Sequence, residues 1–231
     1  MKQSILLRII IILAIYFGLR YYGGPTGRQI LYPVILLVTF LHEFGHALGA
    51  LLTGGAVEDI LVNKDGSGLT RTYGGSRSII LMGGYLGSAI FGNILFLIGA
   101  RFAKLVNPIL LMLAVSMIFT GIYWYTSSFT SLFLIGFALL LILLVWKTNF
   151  GREVLMFLGL ATILYIIQDI NIGPTSDLTK YAETMKFIPI SFWKYSWLTI
   201  AILLFLLNLK IIFSQTKKEL EEDDDFLYIN T

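Results

Sequence analysis

Long apolar blocks alternate with short polar connections along almost the whole chain. Each block is long enough, or nearly long enough, for a helix to cross about 30 Å of hydrocarbon. The pattern therefore predicts an all-α polytopic membrane protein with about seven transmembrane helices. The predicted spans are residues 5–21, 30–52, 79–100, 109–125, 132–146, 154–168 and 193–213.

The second connection is longer than the others and has a different pattern. Residues 56–75 form two short strand-like segments around Asp65 and Gly66, and an Asp-Gly pair is typical of a tight β-hairpin turn. We therefore expect residues 1–214 to form a single transmembrane domain in which a β-hairpin follows the 30–52 helix. Residues 215–231 are basic and then acidic, which predicts a charged, disordered C-terminal tail.

Composition supports this interpretation and excludes other classes. The chain is 57% hydrophobic and only 13% charged, which does not fit a soluble globular domain. The formal net charge of +3 comes from lysines and arginines at helix ends, where they reach the headgroups. The expected partner is therefore the lipid bilayer and not nucleic acid. Cysteine is absent, so disulfides and thiolate metal sites are excluded.

The segment HEFGH, residues 42–46, interrupts the apolar 30–52 block and contains both histidines of the chain. In a helix, His42 and His46 lie on one face, where both imidazoles can bind one ion. Glu43 lies beside them, where a carboxylate can act as a general base. Because ionisable side chains are costly inside a membrane, the cluster predicts a functional zinc site and not a structural feature.

A catalytic zinc site needs three protein ligands and an open position for water. Asp169, at the end of the sixth span, and Asp177, after a Gly-Pro turn, are candidates for the third ligand. Both are expected on the same membrane side as HEFGH, since four helices intervene. Glu153 and Glu183 are the alternatives, and they would indicate a membrane metallopeptidase that cuts soluble or loop segments.

Several stretches together resemble the site-2 protease family (M50) of intramembrane zinc metallopeptidases, and most closely its compact M50B-like branch. They are HEFGHALGALLTGG, DGSGLTRTYGGSRS, GGYLGSAIFGN and the later QDI and SDL elements. The resemblance implies a zinc-dependent endopeptidase with His42 and His46 as ligands and Glu43 as general base. It also implies Asp177 as the third ligand, with Asp169 in reserve.

The same resemblance implies a substrate and a location. Asn93, in the helix that follows the hairpin, corresponds to an asparagine that helps to hold substrate. The substrate would be a transmembrane protein, and the zinc site would open to the cytosol from a bacterial plasma membrane. One edge of the hairpin could bind the substrate as an added strand. A proteolytically inactive scaffold that binds zinc or a client helix is the alternative, and the presence of Glu43 favours the enzyme.

Overall fold

The computed structural model describes the backbone of residues 2–169, 173 and 176–229, and the side chains of residues 5–168, 173 and 176–214. The described backbone contains eight α-helices and one β-hairpin. In chain order they are α1 (Lys2–Phe17), α2 (Gly24–Leu52), β1 (Ala56–Val62), β2 (Gly68–Tyr73), α3 (Arg77–Arg101), α4 (Ala103–Tyr123), α5 (Ser128–Lys147), α6 (Gly151–Asp169), α7 (Asp177–Met185) and α8 (Ile190–Ile229), with a π-helical turn, Gly18–Tyr22, between α1 and α2.

Seven of these helices are long and apolar enough to cross a membrane, which confirms the predicted fold class. Only the short helix α7 falls outside that set among the described helices. Several helices begin earlier than their apolar blocks: α2 begins at Gly24 and α4 at Ala103. The physical reason is that hydropathy marks the part of a helix in hydrocarbon, whereas the helix continues into the polar interface.

Glycines allow α3 to pack closely against its two neighbours. A Cβ atom at Gly49 of α2 would lie 2.9 Å from the Ile79 carbonyl oxygen of α3, and Gly45 and Gly83 meet even more closely. On the other side of α3, a Cβ at Gly159 of α6 would lie 2.7 Å from the Gly92 carbonyl oxygen. The glycine-rich α3 sequence therefore supports close helix packing, as small residues do in membrane proteins.

The hairpin lies along α2 and is attached to it at several levels. The Tyr32 hydroxyl donates to the Lys64 carbonyl oxygen at 2.8 Å, and the Thr39 hydroxyl donates to the Gly66 carbonyl oxygen at 2.7 Å. The predicted turn is confirmed, since Gly66 has a φ of +89° between the paired strands β1 and β2. These contacts bring β2 next to the HEFGH segment in α2.

The outer edge of β1 is closed by the connection between α4 and α5 and by the first turn of α5. The Ile60 amide donates to the Trp124 carbonyl oxygen at 3.5 Å, and the Ile60 carbonyl accepts from the Thr126 hydroxyl at 2.6 Å. Further along, the Thr130 hydroxyl accepts from the Val62 amide at 3.2 Å and donates to the Val62 carbonyl at 3.1 Å. These bonds satisfy backbone groups of a strand that would otherwise be exposed.

The helical backbone of α8 continues beyond residue 214 to Ile229, while the side chains from 215 onwards lie outside the described residues. The division into a domain of residues 1–214 and a charged, disordered tail of residues 215–231 stays a prediction.

Candidate metal centre

Two imidazoles converge one helical turn apart on α2. The Nε2 atoms of His42 and His46 are 3.2 Å apart. This is the arrangement that the four-residue spacing predicts, because positions i and i+4 share a helix face.

A backbone carbonyl of α3 fixes the tautomer of His46. Its Nδ1 lies 2.6 Å from the Ile80 carbonyl oxygen. Because a carbonyl can only accept a hydrogen bond, Nδ1 carries the proton, and the lone pair of the neutral ring is on Nε2. Metal-binding histidines are commonly held in this way through their second nitrogen.

Asp177, the first residue of α7, completes a three-residue group. Its Oδ2 lies 2.8 Å from Nε2 of His42 and 3.1 Å from Nε2 of His46. Ser176 is the N-cap residue of α7, since its hydroxyl accepts from the Thr179 amide at 3.2 Å. Burial would raise the pKa of the Asp177 carboxyl, but the close contacts with the two imidazoles outweigh burial and hold that pKa well below its usual range.

The donor atoms of this group suit a single metal ion. The three atoms lie within 4.8 Å of one another. At a Zn–N distance of about 2.0–2.1 Å, tetrahedral ligand atoms lie roughly 3.3 Å apart, and the separations of 2.8, 3.1 and 3.2 Å are close to that value. Two neutral imidazoles and a carboxylate are also a donor set that zinc prefers.

Glu43 faces the hairpin beside this group. Its side chain is buried, with the residue only 5% exposed, and its Oε2 accepts from the Thr70 hydroxyl of β2 at 2.8 Å. The strand comes unusually close here, since a Cβ at Gly68 would lie 2.5 Å from Glu43 Oε1. The carboxylate is therefore held between α2 and β2.

One cavity of about 650 Å³ connects the histidine pair, Asp177 and Glu43. It lies between α2, β2, α3 and α7, so a molecule inside it can reach the three-residue group and the glutamate together. Its walls include Thr39, Gly68, Thr70, Arg77, Tyr85 and Lys180.

The other predicted ligands lie elsewhere or outside the described part. Asp169 is the last residue of α6, and its side chain is outside the described residues. Glu153 forms an ion pair with Arg8 of α1. Glu183 is exposed on α7 and does not belong to the three-residue group.

The structure does not bring Asn93 to the cavity lining. Its side chain is buried between α3 and α8, where the Asn208 amide donates to Asn93 Oδ1 at 2.8 Å. The Asn93 amide in turn donates to the Ala89 carbonyl oxygen at 2.8 Å. A substrate-binding role for Asn93 stays a prediction, and the contacts that the structure provides are those of a bridge between helices.

Sequence reasoning missed two groups that position the site. The Ile80 carbonyl that orients His46 is a main-chain atom, so no residue type indicates it. The sequence predicts only that Thr70 lies in a β-strand. Its contact with Glu43 depends on how the hairpin folds back along α2. Side-chain alternation in β2 could have placed Thr70 on the α2-facing side, but not at Glu43.

Seven helices that are long and apolar enough to cross a membrane, together with a group of two histidines and an aspartate that could hold a metal ion, define an integral multi-pass membrane protein with a candidate metal centre. The chain belongs to the Peptidase M50B-like family, whose model matches residues 7–208. The comparison with curated proteins gives no match, and neither does the comparison with solved structures.

Proposed function

We propose that the protein is a zinc-dependent endopeptidase that hydrolyses peptide bonds in transmembrane or membrane-proximal segments of other proteins. The observation that carries this proposal is the convergence of His42, His46 and Asp177 on one point, with Glu43 beside them on the same cavity. Membership of a peptidase family supports it.

His42, His46 and Asp177 would hold the zinc ion through Nε2, Nε2 and Oδ2. A zinc ion bound there supplies Lewis-acid activation of water and of the scissile carbonyl. The Ile80 carbonyl holds the His46 tautomer whose Nε2 can bind a metal.

Glu43 has the position of a general base. Its carboxylate accepts a proton from the attacking water as the C–O bond forms, and then gives that proton to the amide nitrogen as the C–N bond breaks. The balance is one water consumed, with a new carboxyl group and a new amine released. Burial of Glu43 against the hairpin keeps the carboxylate at one place during both transfers.

The free edge of β2 suits an extended substrate. In the β1–β2 register, Ile60 lies opposite Thr70 and Val62 opposite Gly68. Since Ile60 and Val62 direct their main-chain groups outwards, their partners Thr70 and Gly68 direct theirs to the opposite edge. In the part of the chain that the structure describes, no main-chain hydrogen bond from another element reaches that edge.

A transmembrane helix hides its peptide bonds in its own hydrogen bonds, so the substrate must unwind locally before hydrolysis. The β2 edge offers main-chain partners to such an unwound stretch beside Glu43. The bacterial plasma membrane and the cytosolic opening of the site remain predictions from the family resemblance.

The test compares the wild-type chain with Glu43→Gln, each purified in detergent and reconstituted in lipid. Zinc is quantified, and cleavage is measured on a panel of single-span substrates whose helices contain glycine or proline. We expect stoichiometric zinc in both proteins and cleavage by the wild type alone. Wild-type protein that holds zinc and binds the substrates but cuts none of them would favour the scaffold alternative, and absence of zinc would contradict the metal assignment.

A further inference from the structure

Thr70 contacts the side chain of Glu43 and also lies on the edge offered to substrate. We propose that Thr70 is a positioning residue that orients the Glu43 carboxylate for proton transfer. This inference rests on the proposed function, because it assigns a role relative to the general base.

The hydrogen bond is directed by charge. Thr70 Oγ1 lies 2.8 Å from Glu43 Oε2 and 2.9 Å from the Glu43 main-chain oxygen. The hydroxyl has one proton, and a carboxylate is a stronger acceptor than a peptide carbonyl. Thr70 therefore donates to Oε2 whenever Glu43 is ionised.

The second oxygen of Glu43 is left available for chemistry. Oε1 faces Gly68, where the absence of a side chain gives the carboxylate its space. No hydrogen bond from the described residues to Oε1 is present, so Oε1 is the oxygen that can accept the proton of water. Because Thr70 holds Oε2, the carboxylate cannot rotate freely, and the orientation of Oε1 is fixed.

The alternation of a β-strand gives Thr70 both contacts at once. Its side chain faces α2, and its main-chain groups face the open edge of β2. A substrate strand paired to that edge would immobilise the main chain of Thr70 and with it the hydroxyl that holds Glu43. Thr70 thereby couples the presence of an extended substrate to the alignment of the base.

Thr39 provides a matched control, because its hydroxyl also joins α2 to the hairpin without contacting Glu43. It donates to the Gly66 carbonyl oxygen at 2.7 Å. The variants are Thr70→Val, which keeps the shape and removes the hydroxyl, Thr70→Ser, which restores it, and Thr39→Val. The readouts are kcat, KM, zinc content and thermal unfolding.

For Thr70→Val we expect kcat to fall by about 10- to 100-fold, the range for lost supporting contacts, with KM and zinc content near wild type. Thr70→Ser should recover most of kcat, and Thr39→Val should lower kcat much less. Equal losses in Thr70→Val and Thr39→Val, or no recovery in Thr70→Ser, would overturn the inference and make Thr70 an ordinary attachment of the hairpin.

A binding measurement separates this inference from the proposed function. A peptide hydroxamate chelates zinc and places a proton next to the glutamate, so its affinity reports alignment of the carboxylate without turnover. We expect Thr70→Val to weaken hydroxamate binding in the wild-type background and to have no further effect in Glu43→Gln. Additive effects would overturn the coupling, whereas intact coupling in a protein that cuts no substrate would contradict the proposed function alone.

Discussion

Gly84 of α3 lies directly against Nε2 of His42, the atom that we propose as a metal ligand. A Cβ atom built at Gly84 would lie 2.5 Å from His42 Nε2 and 2.6 Å from His46 Nε2. The main chain of α3 therefore forms one wall of the candidate metal centre, and the missing side chain leaves the space in which the imidazoles meet.

Gly84→Ala should displace the imidazoles and weaken metal binding while the fold persists, since one methyl group costs about 1–3 kcal/mol when inserted into a packed site. We expect a roughly tenfold or greater loss of zinc retention, as 1.4 kcal/mol corresponds to a factor of ten. Zinc content after dialysis against a mild chelator measures it. The matched control is Gly136→Ala in α5, where a Cβ meets nothing within 4 Å, and full zinc retention in Gly84→Ala would contradict the steric assignment.

Asp177→Asn should lose most of its zinc, because an amide oxygen is a much poorer ligand than an anionic carboxylate oxygen. Asp169→Asn is the control variant and should retain zinc when zinc is saturating. If Asp169 supports one of the ligands by a hydrogen bond, its replacement should lower zinc affinity by at most about 10- to 100-fold. Metal analysis of both variants ranks them. Loss of zinc from the Asp169 variant alone would reverse the assignment.

Removal of single N–H donors from a substrate should reveal strand pairing. In an added strand, alternate residues direct their main-chain groups towards β2, so N-methylation should weaken cleavage at every second position near the scissile bond. A series of synthetic substrates, each with one N-methyl group, measures the effect as kcat/KM. Losses without this alternation would argue against binding at the edge of β2.

The buried Asn93–Asn208 pair should contribute stability and not substrate affinity. Asn208→Ala removes the two hydrogen bonds that the Asn208 amide donates to Asn93 while leaving Asn93 in place. We expect a destabilisation of about 0.6 kcal/mol for each bond, the average for such bonds within membranes. Thermal unfolding in detergent and the KM for substrate are the two measurements. If Asn93→Ala raised KM strongly and Asn208→Ala did not, the predicted substrate role of Asn93 would gain support.

The helices and the histidine pair could be predicted because both depend on local spacing. Apolar length marks each span, and the four-residue separation of His42 and His46 places them on one face. The choice between Asp169 and Asp177 could not be made from spacing, because it depends on how the chain turns after α6. In sequence, Gly84 cannot be distinguished from the glycines that allow close helix packing. Only the three-dimensional position of α3 shows that Gly84 also leaves space for the two imidazoles.

Because the outer edge of β1 is already hydrogen-bonded, the hairpin has only one edge to which another strand can bind. With Ile60 already bonded to the α4–α5 connection and Val62 to Thr130 of α5, a further strand can join only at β2. A sheet with one free edge cannot be extended in two directions, so the hairpin cannot nucleate a continuous sheet through edge-to-edge aggregation. The same limit creates competition: a cleaved fragment still paired to β2 keeps the next chain away, and fragments should act as competitive inhibitors of the reaction that released them.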